Sequence, residues 1–250
     1  MTSSKDFVFG RHAGLDYLKT QSADKINKVF LQHGIQEDFA NQVYAICKKK
    51  RLVIQNVPKN KLDRLVDSGN HQGLVLAISS FEYADLSKLL DQFDDEGKEP
   101  FLLMLDSIED PHNLGSILRS ADATGVDGII IPKRHATGLT SVVAKTSTGA
   151  IDYVPVARVN NLVQTTKELK KRGYWVFGTD MAGTDYREWN AKGKTVLVIG
   201  NEGKGIAPLL KKQMDQTITL PMIGHVQSLN ASVATGVLLY QAYNSRHPLH

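Results

Sequence analysis

The sequence predicts an α/β protein in two blocks, and three observations carry that prediction. Short β-branched and aliphatic runs alternate along the chain with segments whose apolar residues recur at helical spacing. In residues 101–250 the alternation is nearly regular, which implies a mostly parallel sheet covered on both faces. Between the blocks lies "ADLSKLLDQFDDEGKEP" (84–100), with six carboxylates against two lysines and a chain-breaking end, and a total of 250 residues suits two domains better than one.

In the first block, 11–20 ("RHAGLDYLKT") reads as a helix, 26–32 ("INKVFLQ") as a strand and 37–50 ("EDFANQVYAICKKK") as an amphipathic helix. A strand over 52–57, a short helix over 61–66 and a strand over 73–79 complete a small α/β domain, residues 1–83. Residues 84–100 read as an acidic linker with a short helix around Leu86–Phe93. The second domain, 101–250, has strands at 101–106, 128–132, 153–159, 174–180, 195–202 and 217–222, with helices at 113–124, 141–147, 161–172, 206–213 and 228–243. "TVLVIG" (195–200) is apolar almost throughout, as a central buried strand should be.

Composition narrows the function classes. No window approaches the ~20 apolar residues of a membrane helix, and "MTSSKDFVFGRHAG" has no apolar signal core, so a soluble cytosolic protein is expected. The single cysteine, Cys47, excludes an intrachain disulfide and reads as a buried small hydrophobe rather than a nucleophile. The eight histidines are scattered without metal-ligand spacing, so no metal is expected. The formal charge of +4 and pI near 9.0 come from two mildly basic blocks around the acidic stretch. That pattern suits a polyanion such as RNA, or an ordinary solvated surface.

In a parallel sheet, ligands bind where loops leave the carboxyl ends of the strands. The polar and glycine clusters fall there: "DSIEDPHNLG", "GTDMAGTD", "GNEGKG" and "MIGHVQSLN". "GNEGKG" (200–205) is no Walker loop, and "GKT" at 193–195 has Glu188 where the first glycine should stand. No strand–G-x-G-x-x-G–helix unit occurs, which disfavours a nicotinamide enzyme or an ordinary Rossmann methyltransferase. Asn113 is a plausible cap for the helix that follows Asp110-Pro111. Arg119 lies among apolar and small residues of that helix, either as a surface stem or as a cation held for a partner. The last helix opens on Ser228 and Asn230 and continues with Ala231, Ser232, Ala234, Thr235 and Gly236, small residues that let other backbone come close.

Three motifs in order, N-x-G-x-x-x-R (Asn113, Gly115, Arg119), N-E-G-x-G (201–205) and P-M-x-G-x-V-x-S-L-N (221–230), resemble those of the SpoU, or TrmH-type, RNA ribose 2′-O-methyltransferases. The resemblance covers the whole second block. The first block, with "FGRHAG" (9–14) and "HQGLVLA" (71–77), is similar to that family's small RNA-binding domain of ribosomal protein L30e type. The two-domain layout looks most like the branch that methylates a guanosine ribose in the peptidyl-transferase region of 23S rRNA.

The resemblance implies a deep trefoil knot of SPOUT type in the second domain, a homodimer, and S-adenosylmethionine as methyl donor without a metal. Carried over by motif position, the donor would meet Gly200, Leu220, Met222 and Leu229, with Thr179 in a loop that closes over it. Arg119 would deprotonate the ribose hydroxyl or, since a guanidinium stays protonated, clamp the adjacent phosphate and steady the developing alkoxide. Asn113 and Glu202 would orient it, and Ser228 and Asn230 would line the ribose, one of them also capping the last helix. His112 and His225 flank the motifs as secondary candidates for base work. RNA contacts are expected from Arg11 and from Lys48, Lys49, Lys50 and Arg51, though the run is also a favourable helix C-terminus. A tRNA ribose, the rRNA site of thiostrepton resistance, or a role as a non-catalytic rRNA-binding assembly factor are the alternatives.

Overall fold

A computed structural model describes residues 6–79, 81–226 and 228–249. The chain divides into two compact units: Met1–Glu82 with Gly138–Val142, and Tyr83–Thr137 with Val143–His250.

The first unit runs β1 (Phe7–Phe9), α1 (Arg11–Thr20), β2 (Ile26–Gln32), α2 (Glu37–Lys50), β3 (Ile54–Val57), α3 (Lys59–Leu65) and β4 (Leu74–Ile78). Its sheet has the order β1-β4-β2-β3, with β2 and β3 parallel and β4 antiparallel to both neighbours. Strand β1 was not expected, because three residues are too few to show a period. The apolar stripe of α2, Phe39, Val43 and Cys47, packs with Leu18, Leu31, Leu74 and Leu76. Cys47 is 1% exposed, and burial pushes its thiol up to about 11, only partly opposed by Lys50. At pH 8 its thiolate fraction falls about 100-fold below that of a free cysteine, and the thiolate is the reacting form. Cys47 should therefore react with an aromatic disulfide reagent at least that much more slowly in the folded protein than in guanidinium. Equal rates in the two states would contradict its burial.

The second unit runs α4 (Leu86–Asp95), β5 (Phe101–Leu105), α5 (Pro111–Ala123), β6 (Gly128–Pro132), α6 (Ser141–Ser147, its first two residues counted with the first unit), β7 (Val156–Val159), α7 (Leu162–Lys171), β8 (Trp175–Asp185), β9 (Thr195–Ile199), α8 (Pro208–Lys211), β10 (Gln216–Thr219) and α9 (Ala231–Arg246). Its six strands lie in the order β10-β8-β9-β5-β6-β7, and every paired neighbour is parallel. Every residue of the central strands β5 and β9 is buried, as their unbroken apolar runs require. The acidic segment read as a linker carries α4, whose Leu90 and Phe93 join the core of this unit with Met104, Val176 and Val198. Each such burial is worth about 1.5–3 kcal/mol.

Several element ends differ from expectation, each for a local reason. Helix α5 starts at Pro111, with Asp110 as its cap, accepting the His112 N–H at 2.8 Å. Proline suits a first helical position because its missing N–H has no partner there anyway. Asn113 is thus not a cap, and its side chain is released for other work. Helix α9 starts at Ala231, capped by Asn230, whose Oδ1 accepts the N–H groups of Ser232 (2.9 Å) and Val233 (3.3 Å). Helix α8 is one turn, shorter than the expected 206–213. Strand β8 is longer than expected. It pairs with β10 at Phe177 and Gly178, then again at Thr184 and Asp185, so that residues 179–183 bulge out unmatched.

The glycine of the first motif has a packing role. A Cβ on Gly115 would lie 2.5 Å from the Thr146 Cβ, so only glycine lets α5 approach α6 so closely. The small residues of α9 also serve packing: Ala231, Thr235 and Ala242 are buried with Leu238 and Leu239. α9 lies along α5.

Candidate active site

The loops at the carboxyl ends of β5 and β9 meet the start of α9. Asn113, in the first turns of α5, donates from Nδ2 to Glu202 Oε1 at 3.0 Å. Asn230 donates from its Nδ2 to Asn113 Oδ1 at 2.9 Å and to the same Glu202 oxygen at 2.7 Å. The Ala231 N–H donates to that oxygen at 2.9 Å. One residue from each of the three motifs therefore closes a single hydrogen-bonded cluster across 117 positions of sequence. Glu202 sits at the positive end of the α9 dipole, where a carboxylate is stabilised. Among the described residues its Oε2 has no hydrogen-bond partner.

The glycine loop that carries Glu202 is tightly closed. Asn201 and Gly205 exchange backbone hydrogen bonds of 3.0 and 2.8 Å. A Cβ on Gly200 would lie 2.2 Å from the Gly205 carbonyl carbon, so the glycine serves the loop's own backbone contact. Asn201 donates to the Ser107 carbonyl at 3.0 Å and accepts the N–H of Gly203 at 3.0 Å. Asp106, directly after β5, accepts the Ala207 N–H at 2.7 Å and the Ser107 hydroxyl at 3.0 Å. Sequence reasoning passed over Asp106. Its signal was a lone carboxylate at the end of the all-apolar "FLLML", where burial is costly without donors.

The residues expected to hold a donor lie at the ends of three neighbouring strands. Thr179 follows the last paired residue of β8 before the bulge, with Oγ1 3.5 Å from the Val198 carbonyl. Gly200 follows β9, Leu220 follows β10, and Met222 and Leu229 are half-buried on the segment leading to α9. Among the described residues of 220–229, no main-chain N–H or C=O enters a backbone hydrogen bond. Asp180 in the bulge is ion-paired to Lys211, which with the Ala182 N–H holds its carboxyl below the usual range.

The pattern of the SpoU rRNA Methylase family matches residues 100–240, more than half of the chain. The chain belongs to the SpoU rRNA methylase family. A second pattern, for RNA 2′-O ribose methyltransferase substrate binding, matches residues 7–84. A Bacillus subtilis protein of the TrmH tRNA/rRNA methyltransferase family, YacO, is 48% identical over all of this chain and 99% of its own. The Sinorhizobium meliloti rRNA methyltransferase, solved with AdoMet bound, is 26% identical, covering 98% of this chain and 88% of that one at a TM-score of 0.58. The A. aeolicus TrmH/SpoU tRNA modifying enzyme is 31% identical over 64% of this chain and 83% of its own, at a TM-score of 0.54.

Within this SpoU chain the other expected site residues are not part of the hydrogen-bonded cluster. Arg119 is exposed on α5 and makes no hydrogen bond or ion pair with a described residue. It follows Asn113 by six residues, about 9 Å along the axis and roughly 120° around it. Ser228 is exposed and has no hydrogen bond to a described residue, so Asn230 alone caps α9. His112 Nδ1 is 3.4 Å from Thr146 Oγ1, and His225 is exposed.

In the first unit, Arg11 opens α1 with its guanidinium 4.9 Å from the centre of the Phe39 ring. It donates to Gln36 Oε1 at 3.3 Å and to the Gln72 carbonyl at 3.4 Å. It lines a polar hollow of about 850 Å³ with Lys59, His71 and Gln72. The basic run is less available than expected. Lys50 donates to the carbonyls of Gln21 (2.6 Å) and Lys19 (3.1 Å), which leaves Lys48, Lys49 and Arg51 exposed. Arg51 ends α2 in a left-handed conformation, φ 54°.

Proposed function

We propose that this RNA methyltransferase transfers the methyl group of S-adenosylmethionine to a ribose 2′-hydroxyl, and that the target is a guanosine in the peptidyl-transferase region of 23S rRNA. The observation that carries the reading is the cluster of Asn113, Glu202 and Asn230 beside a strand-end segment, 220–229, whose described main-chain groups enter no backbone hydrogen bond. The residues fit such a donor. Uncommitted N–H and C=O groups near Leu220 can bond its ribose, adenine and amino-acid ends, and half-buried Met222 and Leu229 offer apolar contact. When bound, the donor supplies a methyl group on a sulfonium centre, ready for in-line displacement.

The chain's own task is to place and deprotonate the hydroxyl. Asn113 and Asn230 hold Glu202 through one oxygen, leaving the other to accept a hydrogen bond from the ribose. Ser228 lies two residues before Asn230 and lines the same side of the substrate. Arg119, uncommitted among the described residues, clamps the neighbouring phosphate and stabilises the alkoxide as the proton passes to the second Glu202 oxygen. Positioning of this kind supplies much of the rate of a displacement.

Residues 1–83 supply RNA affinity, with Arg11 and the exposed Lys48, Lys49 and Arg51 against phosphate. A homodimer is supported by the exposed apolar residues of α9: Val233, Val237 and Tyr240 line a hollow of about 570 Å³ with Ser120 of α5, and Tyr243 is exposed on the same helix. The threaded, knotted C-terminus is what the family resemblance implies, and the bond from the Ala231 N–H to Glu202 brings the start of α9 against the glycine loop as threading requires.

A second reading, a tRNA ribose, is favoured by the 31% identity to a tRNA modifying enzyme. Mass-spectrometric mapping of ribose methylation in total RNA, with and without the gene, separates the two. Loss of one 2′-O-methylguanosine from 23S rRNA is expected. Loss from a tRNA or from another rRNA site would replace the proposed target, and no loss would leave the assembly-factor reading.

A further inference from the structure

The glycine loop hangs between two anchors, and neither belongs to the cluster of Asn113, Glu202 and Asn230. At one end Gly200 continues directly from β9. At the other, Ala207 leads into α8, and its N–H is held by Asp106 Oδ2 at 2.7 Å. The second oxygen of Asp106 takes the Ser107 hydroxyl at 3.0 Å. That bond braces Ser107 in a left-handed conformation, φ 62°, which a non-glycine residue adopts at a cost. The Ser107 carbonyl in turn receives Asn201, the residue before Glu202, at 3.0 Å. Asp106 therefore reaches Glu202 by two routes, through Ala207 and through Ser107–Asn201, without touching it. Its backbone is also fixed, since its N–H donates to the Ile199 carbonyl at 2.8 Å.

A carboxylate that is 6% exposed is an expensive way to hold a loop unless both oxygens are used. Here both are used, by neutral donors, and no cation pairs with Asp106 among the described residues. The requirement is thus an acceptor for the Ala207 N–H and a second hydrogen-bonding atom for the Ser107 hydroxyl, at fixed geometry, rather than a charge.

We propose that Asp106 is a positioning residue for methyl transfer, setting the height of the Gly200–Gly205 loop so that Glu202 meets Asn113 and Asn230. The proposal rests on the reading of that cluster as the reacting site. It makes an unusual demand on substitutions. Asparagine can offer Oδ1 to Ala207 and donate from Nδ2 to the Ser107 oxygen, so Asp106→Asn keeps both bonds. Asp106→Ala keeps neither.

The test measures transfer of tritiated methyl from S-adenosylmethionine to total RNA from a strain lacking the gene, using the full chain. Asp106→Ala is expected to lower kcat about 100-fold, the scale of a misplacement near 1 Å. The donor KM should stay within about 3-fold, because four of the five expected donor residues, Thr179, Leu220, Met222 and Leu229, lie on other segments. Asp106→Asn should recover to within about 5-fold of the parent. Glu202→Gln reports on the site itself. The double variant Asp106→Ala/Glu202→Gln should be no slower than the slower single one, since both changes break the same unit.

A kcat within 3-fold of the parent for Asp106→Ala overturns the proposal. So does an Asp106→Asn variant as slow as the alanine one, and so do two effects that multiply. If instead Glu202→Gln is fully active, the reading of the cluster fails, and the proposal fails with it whatever Asp106→Ala does. Circular dichroism and thermal melting of Asp106→Ala keep the outcome clear: kcat is referred to the fraction folded at the assay temperature, because unfolded enzyme lowers the apparent kcat without moving KM, and Asp106→Asn carries the test at native stability.

Discussion

Arg119→Ala should lower methyl transfer by about 10²- to 10³-fold, the usual cost of removing one donor to a developing oxyanion, while the melting point stays almost unchanged. The side chain is exposed and has no partner among the described residues, and its helix is held by the buried Leu114, Ile117, Leu118 and Ala121 on another face. Surface changes of that kind cost about 0.5 kcal/mol or less. Because Arg119 stands about 9 Å along α5 from Asn113, it cannot act by holding the cluster together, so a loss of rate must come from contact with substrate. Arg119→Lys should recover only part of the rate, since an ammonium keeps the charge and loses the planar fork. Tritiated-methyl transfer and calorimetric titration of the donor check both statements. A near-normal rate for the alanine variant removes Arg119 from the reaction. A fall in donor affinity equal to the fall in rate moves it to the cofactor site instead.

Gly200→Ala is expected to be the most damaging single-methyl change in the molecule. The added carbon would stand 2.2 Å from the Gly205 carbonyl carbon and 2.3 Å from the Ile206 nitrogen. Both are backbone atoms, so no side-chain rotation relieves the clash and the loop itself must move. Overpacking of this sort costs about 1–3 kcal/mol. The same movement breaks the Asn201–Gly205 exchange and displaces Glu202 by enough to slow methyl transfer about 100-fold. Gly203→Ala is the control for stability, because a carbon there meets only Asn201 Oδ1 at 3.7 Å, an ordinary contact. Urea unfolding of the two variants should separate them by more than about 1 kcal/mol. Equal midpoints would mean that Gly200 is not required by the loop's closure.

Much of the fold was legible residue by residue. The strand 26–32, the helix 37–50, the strand 128–132 and the helix 141–147 have the expected bounds, because a strong period or an unbroken apolar run leaves few alternatives. The ends of α5 and α9 were misplaced for a shared reason. Asp110, Asn113, Ser228 and Asn230 are all acceptable caps by type, and which of them caps depends on what else each side chain can reach. The bulge at 179–183 was invisible because it is a relation between β8 and β10 and not a property of either. Lys50 looked like a free cation in "KKKR" because the carbonyls of Lys19 and Gln21 that engage it lie about 30 positions earlier in the chain.

Local chemistry along the chain determined that this is an α/β protein with a mostly parallel second sheet, that its polar loops leave the carboxyl ends of the strands, and which three motifs carry its family. It could not determine that Asn113, Asn230 and Ala231 converge on one carboxylate oxygen of Glu202, or that buried Asp106 accepts both the Ala207 N–H and the Ser107 hydroxyl. Those are hydrogen bonds between residues up to 101 positions apart. Their geometry exists only once the parallel strands have stacked side by side and burial has stripped the polar groups of water, leaving one another as partners.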